Sequence, residues 1–244
     1  MKAFWWYKEG SIAGMARPGF NSARWFDLNF DEAVLLGWIG QYSDGELKLS
    51  TFRQHLETYV PRIYKFHNHN DVTSKQALTI FDSSAGIKNV IERLQKRIWI
   101  LKSFDVTNES IHIELDTSIL EKEIQHLKTH NIQHVVTLTE HHHQKNILDN
   151  YFSTYHISIA DLGTPKREQV VQLSEILKSI LPKNEKLAVH CLAGIGRTST
   201  MLIGAHILLG ESFKDLETYI AKQNPSFALV EAQAEFLKTL KPVR

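Results

Sequence analysis

In this 244-residue chain, the side chains best able to do covalent chemistry fall together in Leu187-Ala188-Val189-His190-Cys191-Leu192-Ala193-Gly194-Ile195-Gly196-Arg197-Thr198-Ser199-Thr200. An apolar, β-prone run ends in His190-Cys191. A loop bearing Gly194 and Gly196 follows, and Arg197-Thr198 opens a long apolar segment. The chain's one cysteine therefore belongs between a strand and a helix N-terminus. Backbone N–H groups of Leu192, Ala193, Gly194, Ile195, Gly196 and Arg197 would converge there on an anion, and the helix dipole adds positive potential. A field of that sign favours thiolate over thiol. Glycines let backbone approach a ligand with no Cβ in the way, and the Arg197 fork matches two phosphate oxygens. A nucleophile, a dianion cradle and a bidentate clamp thus lie within seven residues. Their chemistry is hydrolysis of a phosphate ester through a cysteinyl-phosphate. The competing account, a small buried hydrophobe in an ordinary strand–turn–helix, leaves the spacing of His190, both glycines, Arg197 and Thr198 unexplained.

Such a loop needs a sheet behind it and helices around it, and the flanking sequence supplies both. Phe4–Tyr7 and Ser11–Gly14 read as strands about the turn Glu9-Gly10, closed by Ala16-Arg17-Pro18-Gly19. Ser118 starts a helix through Leu120, Ile124 and Leu127. Strands follow at Val135–Leu138 and Tyr155–Ile159, the latter predicted beside the cysteine's own. Thr164 and Pro165 open a helix through Val170 and Leu177 that stops at Pro182. Met201–Leu209 is a helix apolar nearly all round, hence central. Ser212 caps the next, and a last helix carries Phe236, Leu237 and Leu240. Strands alternating with helices predict an α/β fold, a mostly parallel central sheet flanked by helices, with ligands at the strands' carboxyl ends.

Residues 21–116 interrupt this pattern, so the core is 1–20 plus 117–244 within one domain. The insertion reads as mainly helical. One helix is capped by Asp31 and runs to Ile39, a second is capped by Ser50 and stops before Pro61, and a third begins at Ser83 or Ser84. Strand material stands at Leu101 and Ile111–Leu115. It serves either as a packing accessory or as a cap that shapes access. His67-Asn68-His69-Asn70-Asp71 reads as a polar loop, and His141-His142-His143 as a solvated loop at the rim of the site. For the first, a polar loop is a simpler account than a metal site, and the three successive histidines lack the second ligand group that zinc needs.

Lys plus Arg number 28 against 27 Asp plus Glu, so no bulk charge calls for nucleic acid or a membrane surface. One cysteine fits a reducing compartment. The aromatic opening is no secretory signal, and no span is apolar enough for a membrane. The expectation is a soluble cytoplasmic protein with no metal or other cofactor; its oligomeric state stays open.

The run from His190 to Thr198 resembles the signature loop H-C-x-x-G-x-G-R-T of the cysteine-dependent protein tyrosine and dual-specificity phosphatases. It lacks the lysine of a Walker loop. Over roughly residues 1–19 and 117–244 the chain is most similar to small atypical dual-specificity phosphatases of the dual-specificity phosphatase 23 type, from which the insertion departs. The resemblance implies their tyrosine phosphatase-like fold and a phosphorylated protein substrate. It implies Asp161, thirty residues before Cys191 in a D-x-G-x-P setting, as general acid. A turn aspartate capping Gly163 or Thr164 is the other reading. Thr198 would hydrogen-bond the sulfur, and His190 would orient the loop. Gln233 would support the hydrolytic water, against the plainer reading of an exposed helical glutamine. Lys166 and Arg167 are either solvated or attract an acidic substrate. Leu192 and Ile195 are neutral where phosphoinositide phosphatases of the superfamily carry lysines. This favours phosphotyrosine, with phosphoserine and phosphothreonine, over the alternative of inositol phosphates. A phosphoprotein-binding pseudophosphatase is the other class, disfavoured by the presence of Cys191, Arg197 and Asp161.

Overall fold

The computed structural model describes residues 4–19, 30–68, 101–106 and 111–242. The chain divides into two compact units, Met1–Phe20 with Ile119–Arg244, and Asn21–Ser118.

The first unit is built on five strands: β1 (Trp5–Lys8), β2 (Ile12–Ala16), β5 (His134–Thr137), β6 (Ser153–His156) and β7 (Leu187–Cys191). Their order is β1-β2-β7-β5-β6, antiparallel between β1 and β2 and parallel elsewhere. β7 holds the centre because all five of its residues are buried, as expected of a strand covered on both faces. The period of two then sorts its side chains. Leu187, Val189 and Cys191 enter one core with residues of helices α5 (Arg167–Ile180), α6 (Gly196–Leu208), α7 (Phe213–Gln223) and α8 (Glu231–Thr239). Ala188 enters the opposite core with Leu120, Ile124 and Leu127 of α3 (Ser118–Thr129). The short helix α4 (Lys145–Leu148) adds Leu148 to that second core. The α/β architecture is the expected one, and β7 aims the cysteine at the helix-rich face.

Helix α6 is buried from Arg197 to Leu208 and packs on β7, α5, α7 and α8. An apolar circumference has to be buried this way. Gly210, at φ +104°, ends the segment.

Several boundaries differ from the sequence expectation. β6 lies one strand away from β7, with β5 between them, rather than beside it. It is assigned to Ser153–His156, but Ile157 N and Ile159 N continue the ladder to Thr137 O and Leu138 O. Helix α5 begins after Lys166, not at Thr164, because Gln169 Oε1 accepts from Lys166 N at 2.7 Å and satisfies the first turn. Ser212 stands at the N-cap of α7, yet its hydroxyl makes no capping bond.

The second unit contains α1 (Phe30–Ser43), α2 (Leu49–Asn68) and an antiparallel pair, β3 (Leu101–Val106) with β4 (Ile111–Leu115). Its core is Leu35, Leu36, Ile39, Phe52, Leu56, Val60, Ile63 and Ile111. Asp31 and Ser50 lie inside their helices rather than capping them, and α2 runs through Pro61 instead of stopping before it. An interior proline costs about 3 kcal/mol. Burying Val60 and Ile63 on either side of it returns about 1.5–3 kcal/mol each, so the helix continues. His67 and Asn68, expected in a loop, close α2. The helix expected from Ser83 or Ser84 and the rest of that polar loop lie outside the described residues.

Candidate active site

The cradle is assembled at the carboxyl end of β7. Cys191 is a free cysteine, 3% exposed, and Gly194 N points at its Sγ from 3.3 Å. Gly194 sits at φ +74°, and a Cβ there would stand 2.5 Å from Ala16 N and Met15 C. Only glycine lets the loop curl this close to β2. Two bonds from the N-terminal strands hold the curl: Arg17 N donates to Leu192 O at 3.1 Å, and Trp5 Nε1 to Gly194 O at 3.4 Å. The Trp5 indole occupies the space over Gly14, where a Cβ would lie 2.2 Å from the ring.

His190 faces away from the cradle. Its Nε2 meets Thr137 Oγ1 at 2.9 Å and its Nδ1 meets Cys191 O at 3.3 Å. A carbonyl only accepts, so Nδ1 carries the proton and Nε2 accepts from the hydroxyl. Burial pushes the imidazole pKa down to about 3, with Arg17, His142 and His143 adding to the shift. His190 is therefore neutral at neutral pH, a fixed strut between β7 and β5.

Arg197 is 5% exposed and reaches to the loop after β6. Its Nη1 donates to Ile159 O at 2.9 Å, and its Nη2 pairs with Asp161 Oδ1 at 2.6 Å. Asp161 is thus brought to the cradle although its strand is not the neighbour of β7. Its side chain is 61% exposed. The acid loop around it is tightly wound. Gly163 N donates to Ala160 O at 2.9 Å, and a Cβ on Gly163 would lie 2.7 Å from that oxygen. Leu162 takes φ 55° and is 75% exposed. A left-handed leucine costs about 1–2 kcal/mol, and strain of this kind gathers at functional sites.

Thr198 Oγ1 is buried without a hydrogen-bond partner, so the expected bond to the sulfur is not formed. Gln233, by contrast, is not the exposed helical residue that its surroundings in sequence suggested. It is 1% exposed, and its Nε2 donates to Gly163 O at 2.9 Å. The reading of His141–His143 as a solvated loop also fails at its centre, since His142 is 4% exposed and packs beside the His156 ring at 5.2 Å. Lys166 and Arg167 are exposed. Among the described residues, no group of three or more His, Cys, Asp or Glu could hold a metal ion. No helix of the described residues is long and apolar enough to cross a membrane.

Sequence reasoning missed Trp5, Arg17, Thr137 and Ile159. Three of these act through backbone atoms or a ring at long range, so their residue type carried no signal.

The arrangement is a buried thiol under a tightly curled loop that aims the Gly194 N–H at the sulfur, followed by a guanidinium paired with a solvent-exposed carboxyl. It can bind a tetrahedral dianion, attack it from sulfur, and exchange a proton with whatever leaves.

A family model described as "Polymorphic toxin system, DSP-PTPase phosphatase" matches residues 113–211, a range that includes Asp161 and the whole cradle. The tyrosine-protein phosphatase CDC14 of Candida albicans is 34% identical over 94 residues, 38% of this chain and 17% of that protein. The effector protein hopD2 of Pseudomonas syringae pv. tomato is 31% identical over 80 residues, 32% of this chain and likewise 17% of that protein. The chain thus spans a minor part of the curated relatives it matches. Among solved structures, the active form of Tk-PTP superposes with a TM-score of 0.46 at 21% identity, covering 50% of this chain and 85% of that one. DUSP15 does so with 0.42 at 16% identity, covering 50% and 77%.

Proposed function

Since the chain belongs to the cysteine-dependent dual-specificity phosphatase superfamily, we propose that it hydrolyses phosphate monoesters of protein side chains, phosphotyrosine with phosphoserine and phosphothreonine, through a cysteinyl-phosphate. The observation that carries this reading is the contact of Arg197 with Asp161, which sets a carboxyl at the rim of a cradle whose base is Cys191. A fold that used Cys191 only for packing would have no reason to bring that pair together.

In the first step the Cys191 thiolate attacks phosphorus in line. An S–P bond forms as the ester P–O bond breaks. The N–H groups of 192–197 and the Arg197 fork hold the equatorial oxygens. Protonated Asp161 delivers its proton to the leaving oxygen, since an alkoxide or phenolate leaves poorly without one. In the second step the Asp161 carboxylate takes a proton from water as its oxygen attacks phosphorus. The S–P bond breaks, and inorganic phosphate and thiolate result. His190, neutral and pointing to Thr137, takes no part in proton transfer and orients the loop. Thr198, whose hydroxyl has no other partner, is free to turn to the sulfur as it departs. Neutral Leu192 and Ile195 support a singly phosphorylated side chain rather than a polyphosphate.

The test is phosphate release from an aryl phosphate in excess chelator, wild type beside Cys191→Ser. The reading expects turnover by wild type alone, followed by preference for phosphopeptides over inositol phosphates. Equal turnover by both proteins would overturn it.

A further inference from the structure

We propose that Gln233 is a positioning residue that fixes the acid loop over the cradle and so governs proton transfer by Asp161 without touching substrate; this rests on the phosphatase reading above. Its amide is used at both ends. Nε2 donates to Gly163 O at 2.9 Å, and Oε1 accepts from Val230 N at 3.3 Å. Oε1 also lies 3.2 Å from where a Cβ of Gly196 would stand, so the cradle, the acid loop and α8 meet at this one side chain. No apolar residue could make these bonds, and an ionised carboxylate could not donate to Gly163 O.

Asp161 rides on an arch with two feet. Arg197 Nη1 holds Ile159 O two residues before it, and Gln233 holds Gly163 O two residues after it. The arch needs both. Leu162 is left-handed at its crown and 75% exposed, so no packing of its own keeps it there. Substrate disturbs the arginine's other contact, the Nη2 pair with Asp161 itself, because a bound phosphate competes with that carboxylate for the guanidinium. The Gln233 foot faces a carbonyl and a backbone N–H, neither of which phosphate displaces. It therefore keeps Asp161 in reach during the step in which the acid is needed.

The discriminating variant is Gln233→Met, which keeps length and apolar body but loses both bonds. Val230→Pro is the control. It removes only the Val230 N–H, its φ of −73° suits proline, and the bond to Gly163 stays. With an alkyl phosphate, which needs the acid, Gln233→Met should lower kcat/KM about 10–100-fold, against about threefold or less with a dinitrophenyl phosphate, whose leaving group needs no proton; kcat/KM reports the first step alone, before Asp161 acts as base on the intermediate both esters share. In an Asp161→Ala background the same substitution should have no further effect. Val230→Pro should keep the wild-type ratio between the two substrates. Hydrogen exchange gives a readout independent of turnover. The Leu162 and Gly163 amides should exchange faster in Gln233→Met and not in Val230→Pro, while the rate of Cys191 alkylation stays at the wild-type value. Equal losses on both substrates, or unchanged exchange in the acid loop, would overturn the proposal. If wild type releases no phosphate from either ester, the phosphatase reading fails, and the exchange result alone decides whether Gln233 pins the loop.

Discussion

The cradle and the acid loop face one another across Arg197, yet they are built on opposite terms. The cradle is contiguous, its cysteine and arginine are 3% and 5% exposed, and a strand and a central helix hold its two ends. The acid loop is exposed, crowned by a left-handed leucine, and held by side chains from two distant segments. In the proposed mechanism Cys191 has to keep its place through both steps, and it is locked into the core. Asp161 has to meet leaving groups of varied shape, then water, and it is carried on a turn that solvent reaches. The comparison suggests that rigidity here is spent on the anion and adaptability on the proton.

Four measurements bear on that contrast, beginning with the largest effect. Cys191→Ser should lower turnover about 10⁴-fold or more while phosphate still binds, because the donors remain; single-turnover kinetics beside calorimetry with phosphate would show it. Asp161→Ala should cost about 10²–10⁴-fold in kcat/KM on an alkyl phosphate and far less on a dinitrophenyl ester. A uniform loss would erase the distinction between cradle and acid.

Stability should divide along the same line. Gly194→Ala combines a positive φ with a backbone overlap at 2.5 Å, whereas Gly163→Ala meets one carbonyl oxygen at 2.7 Å with no positive φ. The first should cost about 2–4 kcal/mol in urea unfolding and the second about half that. Comparable costs would mean that the cradle is no stiffer than the loop.

The last measurement is the dependence on pH. His190 beneath the cradle has its pKa lowered to about 3, and His206 in α6 to about 4, both chiefly by burial. An unfolded histidine takes up its proton near 6.5, so below that pH the unfolded chain binds more protons and stability falls. The loss should approach about 1.4 kcal/mol per pH unit for each histidine between 6.5 and its folded value. Urea midpoints at pH 7 and pH 5 would reveal it, and His206→Leu should remove about half of the slope.

Sequence patterning located the strands and longer helices of the core unit to within a few residues, because apolar spacing follows burial directly, and it missed the one-turn helix α4. It misread capping. Asp31, Ser50 and Thr164 are good caps by type, but helix ends are chosen by whichever donor or acceptor the packed structure supplies, as Gln169 does for Lys166. It also stopped α2 at Pro61, where buried residues on both sides outweigh the lost bond.

What the sequence determined alone is the composition of the cradle. Its members are consecutive, and a strand–loop–helix brings consecutive residues together whatever lies elsewhere in the chain. Only the tertiary structure decided which remote groups complete it. Asp161 from beyond a neighbouring strand and Trp5 from the sheet edge meet Cys191-to-Arg197 through single polar contacts, and Gln233 from the last helix joins the acid loop through another. Bonds of that kind depend on strand order and helix packing to within an ångström, and no local pattern records such a distance.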